Sequence, residues 1–419
     1  MIESNDKKRL LSNFFSLASL QGVNYILPLL TFPYLVRVLG VEYFGLLAFA
    51  TAVVTYFNII TDYGFNLTAT REISIHRENK EKVIEIFSAV MSIKFMLMLL
   101  SFLLLIALVF SFEKFSNKWE VYLLTFGMVV GQVLFPVWFF QGMERMKYIT
   151  YLNIIAKVIF TVAIFVFVKE QSDFYLVPFF TSLGFIVVGV LSLWIIYKEF
   201  DIRFRVQSFE TLKYYLLDGW DIFVSRIFVS LYTTTNMIIL GLLTNNSIVG
   251  YYAIAEKIIN AIAGLFIPIN QTLYPYMVKV FEKNKNEFQL LTYRISQLFL
   301  ISSIILFFIL YFFSTEIIMF ISKEDVITIG IIYNILIFTI ITNPFGPLFT
   351  QILIINKLNK EFRTIVMYTF LFNIFMSPLM IYFYDAKGLA IVVVLSQVLV
   401  ISLCVKKILY LEKDIYGTR

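Results

Sequence analysis

Charges set inside apolar runs are the first chemistry this sequence offers. Arg226, Lys94, Lys157 and the pair Glu256-Lys257 each interrupt a stretch long enough to cross a bilayer. At 1.5 Å of rise per residue, Arg226 lies about 12 Å in from the nearer end of its run. A charge near the bilayer centre costs roughly 2.5–3.5 kcal/mol on insertion scales, so such residues face a cavity or a partner. Guanidinium and ammonium groups held there would bind an anion, the guanidinium through its bidentate fork. The competing use of Arg226 is a structural ion pair with Glu256 or Asp221. Lys94 and Lys157 are equally open to snorkelling toward the boundary. Asp62, Asp218 and Asp221 sit near the inner boundary; with Glu256 they are the carboxylates at which H+ or Na+ could couple.

Neutral polar residues reinforce these charges. Twelve apolar runs can be read, near residues 13–36, 43–61, 87–110, 121–140, 149–168, 174–197, 218–240, 248–273, 293–313, 328–352, 364–384 and 388–405. At about 100° per residue, the second run places Thr51, Thr55, Asn58 and Asp62 on one face. The seventh aligns Asp218, Asp221, Ser225, Tyr232 and Asn236, and the eighth aligns Glu256, Asn260 and Asn270. The first adds Asn13, Asn24 and Thr31. A single Asn or Thr of this kind commonly glues two helices together. Four seams at corresponding places read instead as the lining of a shared aqueous cavity.

The elements that must position these groups are membrane helices. The chain is 60% hydrophobic and 15% charged, with a mean hydropathy of +0.84, where globular domains run near half apolar and a quarter charged. Twelve spans of roughly 20 residues leave only short connectors, too short to fold alone. The single cysteine, Cys404, excludes an internal disulfide, and the single histidine, His76, lies in a charged loop. No metal-ligand spacing, phosphate-cradling glycine loop or nucleophile–base pairing is present, so neither a metal nor an enzymatic role is expected. Counted by side, 24 Lys and Arg fall on the face shared by both termini and six on the other. The positive-inside rule then places both termini in the cytoplasm. It also accounts for the net charge of +6 without nucleic acid.

An internal echo supports the count. Gly45-Leu-Leu-Ala-Phe-Ala-Thr-Ala-Val53 aligns with Gly250-Tyr-Tyr-Ala-Ile-Ala-Glu-Lys-Ile258 at an offset of 205 residues. Pro136 with Gln141 and Pro347 with Gln351 echo one another at the ends of the fourth and tenth runs. The fold expected is all-α and integral to the membrane: about 12 transmembrane helices in two pseudo-symmetric six-helix bundles, residues 1–205 and 206–419. Six is even, so the halves would share one orientation.

Four stretches resemble the bacterial polysaccharide repeat-unit flippases, the Wzx-type O-antigen translocases of the multidrug/oligosaccharidyl-lipid/polysaccharide exporter superfamily. They are Arg37-Val-Leu-Gly-Val-Glu-Tyr-Phe-Gly45, Asp62-Tyr-Gly-Phe-Asn-Leu-Thr-Ala-Thr-Arg-Glu72, Pro136-Val-Trp-Phe-Phe-Gln-Gly-Met-Glu-Arg145, and Val249-Gly-Tyr-Tyr-Ala-Ile-Ala-Glu-Lys257 continuing to Tyr274-Pro-Tyr-Met277. The C-terminal third is only generically similar. The resemblance implies a MATE-like fold around a cavity that opens alternately to each side of the inner membrane. Its substrate would be an oligosaccharide on undecaprenyl diphosphate, with a polysaccharide polymerase and chain-length machinery as partners. Arg226, Lys257, Lys157, Lys94, Asn24, Thr55, Asn58, Asn260, Tyr232 and Asn236 would line the cavity. Arg71 and Arg145 could meet the diphosphate at the cytoplasmic entrance, or simply contact lipid headgroups. The same fold would serve a peptidoglycan-precursor flippase or a multidrug or small-solute antiporter. The antiporter needs a compact acidic site, and here buried cations outnumber buried carboxylates. A membrane polymerase would need a sizeable outer loop, and the longest, 314–327, is short.

Overall fold

The computed structural model describes the backbone of residues 4–323 and 325–416, and the side chains of residues 30–227, 230, 234–323 and 325–410. Among the described residues every regular element is helical. In chain order the first are α1 (Ser4–Asp62), α2 (Phe65–His76), α3 (Lys80–Ser111), α4 (Glu113–Ser116), α5 (Trp119–Leu134), α6 (Val137–Gly142), α7 (Met146–Phe167), α8 (Leu176–Phe200) and α9 (Phe209–Thr233). There follow α10 (Thr235–Leu243), α11 (Asn246–Ala263), α12 (Phe266–Lys283), α13 (Lys285–Phe312), α14 (Ser314–Ile321), α15 (Val326–Leu336), α16 (Phe338–Thr342), α17 (Phe345–Ile355) and α18 (Asn359–Tyr416).

Nine helical stretches among the described residues are long and apolar enough to cross a membrane. The difference from the twelve expected runs has three sources. Expected runs one and two are continuous in α1 across a break at Gly40 (φ 76°). The last two are continuous in α18 across a break at Asp385 (φ 50°). The seventh run, now in α9 and α10, is not among the nine; α9 carries Asp218, Asp221 and Arg226.

The chain divides into two compact units, Val38–Ile238 and Met1–Arg37 with Ile239–Arg419. In the first, Gly127 and Gly131 on α5 form a seam against α8. A Cβ at Gly127 would stand 2.5 Å from that of Ser182. This close approach lets the Ser182 hydroxyl donate to the Leu124 carbonyl at 2.6 Å, and Ser192 to that of Leu134 at 3.0 Å. Small residues and interhelical hydroxyl bonds do the work that water-driven burial cannot do between helices in lipid. Phe65, Ile73, Ile86, Trp138 and Phe139 fill the interior. Along α3, Met96, Leu99, Leu100 and Leu103 are about half exposed or more, an apolar face suited to lipid tails.

The corner between α1 and α2 sets the position of the charges. Gly64 there has φ +82°, a left-handed conformation that a side chain resists. A Cβ on it would also stand 2.6 Å from Ile222 Cγ2 on α9. The Tyr63 ring stacks on Phe223, with centroids 4.5 Å apart. Together these contacts dock the corner, and Asp62 with it, onto α9.

The second unit has an aromatic and aliphatic interior built on Phe266, Met277, Phe299 and Leu348. Its α18 folds back on itself, and Asn373 Nδ2 bonds Ser396 Oγ at 3.2 Å between the two arms. Helix starts recur at the offset of the sequence echo. Asn79 caps α3 by accepting from Lys82 N at 3.2 Å, and Asn284 caps α13 by accepting from Asn286 N at 2.9 Å and Glu287 N at 3.3 Å.

Candidate functional site

A polar cavity of about 150 Å³ opens inside the Val38–Ile238 unit. Asn58, Thr61 and Asp62 reach it from the end of α1, Asn66 from α2, Lys94 from α3, Gln132 from α5 and Asn153 from α7. Phe135, Val137 and Phe185 complete the wall, the first two at the break between α5 and α6.

Asp62 organises the charges. One carboxylate oxygen accepts from the Arg226 guanidinium of α9, and the other accepts from Asn66 Nδ2 at 2.6 Å. Asp62 is 14% exposed and Arg226 40%. Lys94 is only 4% exposed, and it feels Asp62 as an attractive charge and Arg226 as a repulsive one. Asp62 is thus shared between Asn66 and Arg226, with the Lys94 amine in the same wall amid amides. Asn58 adds a buried Oδ1 that has no hydrogen-bond partner among the described residues. Such a group accepts a donor readily, because leaving it unpaired costs free energy. The site is suited to a ligand offering both an anionic oxygen and hydroxyl donors.

The loop end of this unit carries a second set of charges. Arg71 donates to Asp218 at 2.8 Å and to Glu72 at 3.1 Å. Arg77 meets Glu144 at 2.6 Å and Arg205 meets Glu81 at 2.7 Å. Lys80 meets Asp201 at 2.5 Å, and hydrogen bonding to its ammonium holds the Asp201 carboxyl below the usual carboxylate range. Arg145 is exposed at the start of α7.

The sequence expectations separate by unit. Asp62, Lys94 and Asn58 line the cavity, Arg226 touches Asp62 without lining it, and the acid paired with Arg226 is Asp62, not Glu256 or Asp221. The reason is the docked corner, which carries Asp62 to α9 although 164 residues separate it from Arg226. Thr51 and Thr55, expected on the same seam, donate to carbonyls one turn back, those of Leu47 and Thr51, each at 2.7 Å. Lys157 is half-buried on α7, Asn236 is buried on α10, and Asp221 is exposed on α9. In the other unit, Glu256 accepts from Tyr252 Oη at 3.4 Å, Lys257 lies over the Phe32 ring at 5.2 Å, and Asn260 is exposed. The side chains of Asn13, Asn24 and Tyr232 lie outside the described residues.

Asn66, Gln132 and Asn153 were not anticipated as lining residues. Polar lining was expected from the first two helices of each half, yet α3, α5 and α7 contribute Lys94, Gln132 and Asn153. The available signal was the isolated amide in an apolar run, at Gln132 and at Asn153. The Gly127–Gly131 spacing, small residues four apart, was a further sign of close helix packing.

Long apolar helices around a buried, charged, amide-lined cavity define a multi-pass membrane protein. The chain belongs to the family described as polysaccharide biosynthesis protein, which it matches over residues 10–281. It is 38% identical over 273 residues to a protein of Escherichia coli (strain K12) and 27% identical over 268 residues to one of Shigella dysenteriae, both named "Putative O-antigen transporter". The first alignment covers 65% of this chain and 66% of that relative, the second 64% and 67%. The chain thus spans about two thirds of the length of the curated relatives it matches.

Among solved structures, the fold is similar to a multidrug resistance MATE family transporter of the MOP superfamily in an inward-facing conformation. That match has a TM-score of 0.69 and 13% identity, covering 93% of this chain and 99% of the other. It is also similar to the lipid II flippase MurJ in an inward closed conformation, with a TM-score of 0.67, 15% identity, and coverage of 93% and 87%. At these identities the likeness establishes a MATE-like fold.

Proposed function

We propose that this chain is a flippase for lipid-linked oligosaccharides. It would carry repeat units on undecaprenyl diphosphate from the cytoplasmic to the periplasmic leaflet by alternating access, for O-antigen or another surface polysaccharide. Family membership and the names of the curated relatives support the polysaccharide class over a multidrug antiporter. The observation that carries the reading is Lys94, a basic side chain 4% exposed on an apolar helix, in the wall of a cavity it shares with Asp62 and four amides. A buried cation is costly to insert. Its use here is to meet phosphate or sugar oxygens while the amides of Asn58, Asn66, Gln132 and Asn153 meet hydroxyls. Arg226 serves the same cavity and, through Asp62, holds α9 to the α1–α2 corner.

The test is export in a strain lacking its own flippase. Lys94→Gln should reach the membrane at normal abundance yet abolish surface polysaccharide. Arg226→Gln should also abolish export, with Arg226→Lys restoring part of it, since Lys keeps the charge without the fork. If Arg226 is only structural, exchanging it with Asp62 should restore both abundance and export. Normal export by Lys94→Gln would sink the proposal.

A further inference from the structure

The part of the chain beyond the family match contains a second charged recess. The arms of α18 fold back at Asp385, so the first arm's beginning lies beside the second arm's end. Between them is a groove of about 410 Å³ with Ile365 and Leu403 in its wall. Lys360, Lys406 and Lys407 line it together with the exposed rings of Tyr368 and Tyr410. Glu361 meets Lys407 at 3.7 Å, leaving Lys360 and Lys406 without an ion pair among the described residues. Three ammonium groups against one carboxylate give the groove a clear positive excess.

We infer that this groove binds the phosphate of a membrane lipid. The helices on either side are apolar over membrane-spanning length, so the groove lies at the end of a bilayer-crossing pair. Tyr rings favour the headgroup level. Basic recesses between transmembrane helices take phosphate-bearing headgroups, lysine acting as a point charge. Ile365 and Leu403 give the lipid's first methylenes an apolar wall, which a free phosphate would not use. The inference is independent of the transport reading, and its failure leaves that reading untouched.

The purified full-length protein in neutral detergent would be titrated with phosphatidylglycerol, undecaprenyl phosphate, phosphatidylcholine or inorganic phosphate. Native mass spectrometry reads the retained ligand, and thermal unfolding reads stabilisation. Either anionic lipid should be retained and should raise the melting temperature; the pair shows which source of lipid phosphate is preferred. The combined variant Lys360→Gln, Lys406→Gln, Lys407→Gln should bind on the order of a hundredfold more weakly. The control Lys357→Gln, Arg363→Gln removes nearby exposed charge outside the groove and should bind normally. Glu361→Gln frees Lys407 and should tighten binding several-fold, a gain that misfolding cannot mimic. Equal loss in the control, no gain with Glu361→Gln, or stabilisation by inorganic phosphate matching that by lipid would each overturn the inference.

Discussion

The stretches from Val41 to Ser111 and from Asn246 to Phe312 are built on one frame and filled with different chemistry. Both set a helix behind an asparagine cap, Asn79 before Lys80 and Asn284 before Lys285. At the offset of 205 residues, Lys94 becomes Phe299, Asp62 becomes Ile267 and Asn58 becomes Ala263. Phe299 packs edge-on against Phe266 at 5.9 Å in a closed apolar core, whereas Lys94 looks into the polar cavity. The recurring cap therefore leaves the interior free to differ. The caps fix where the two helices start, while the breaks before them differ by four residues at that offset, after Asp62 and after Ala263.

Exchanging the interiors gives the largest effect. Phe299→Lys puts an ammonium into a core whose counterpart of Asp62 is an isoleucine, and should cost about 3 kcal/mol or more. The readouts are membrane abundance and thermal unfolding of the purified protein. The reciprocal Lys94→Phe leaves the Asp62–Arg226 pair intact and should cost under about 1.5 kcal/mol. Equal losses from the two would break the comparison.

A smaller effect is expected from removing the organising charge alone. Asp62→Asn leaves Lys94 and Arg226 facing each other and should destabilise by about 2 kcal/mol. At the residue 205 further on, Ile267→Leu, on an apolar residue 42% exposed in a candidate span, keeps the apolar character and should shift stability by about 1.5 kcal/mol or less. Thermal unfolding of both in one detergent would show whether charge is structural in the first stretch alone. The smallest effect sharpens the shared frame: Asn79→Ala and Asn284→Ala should each cost about 1 kcal/mol, and by similar amounts. A marked inequality in unfolding midpoints would mean that the two caps are not equivalent.

Much of this was legible in the sequence because membrane helices announce themselves by length and hydropathy. Lys94 and Arg226 stood out for the same reason, a charge being expensive inside an apolar run, whereas Asp62 read only as a carboxylate near the inner boundary. The partner of Arg226 was not legible, since helical periodicity reports only on residues of one helix, and Asp62 arrives by way of the Gly64 corner. Gln132 and Asn153 were hidden because one amide in an apolar run makes no periodic pattern. Thr51 and Thr55 bond carbonyls of their own helix, a choice that helical periodicity does not report.

The position of Lys94 along the chain has a consequence for synthesis. Arg226 leaves the ribosome 164 residues after Asp62, roughly 10–30 s later at about 5–20 residues per second. For most of that interval, once Ser111 has been added, α1 and α3 are both made, and Asp62 and Lys94 are the acid and the base of the unfinished cavity lining. Of the two basic residues beside Asp62, Lys94 is therefore made first, and the guanidinium that pairs with the carboxylate is delivered last, by α9.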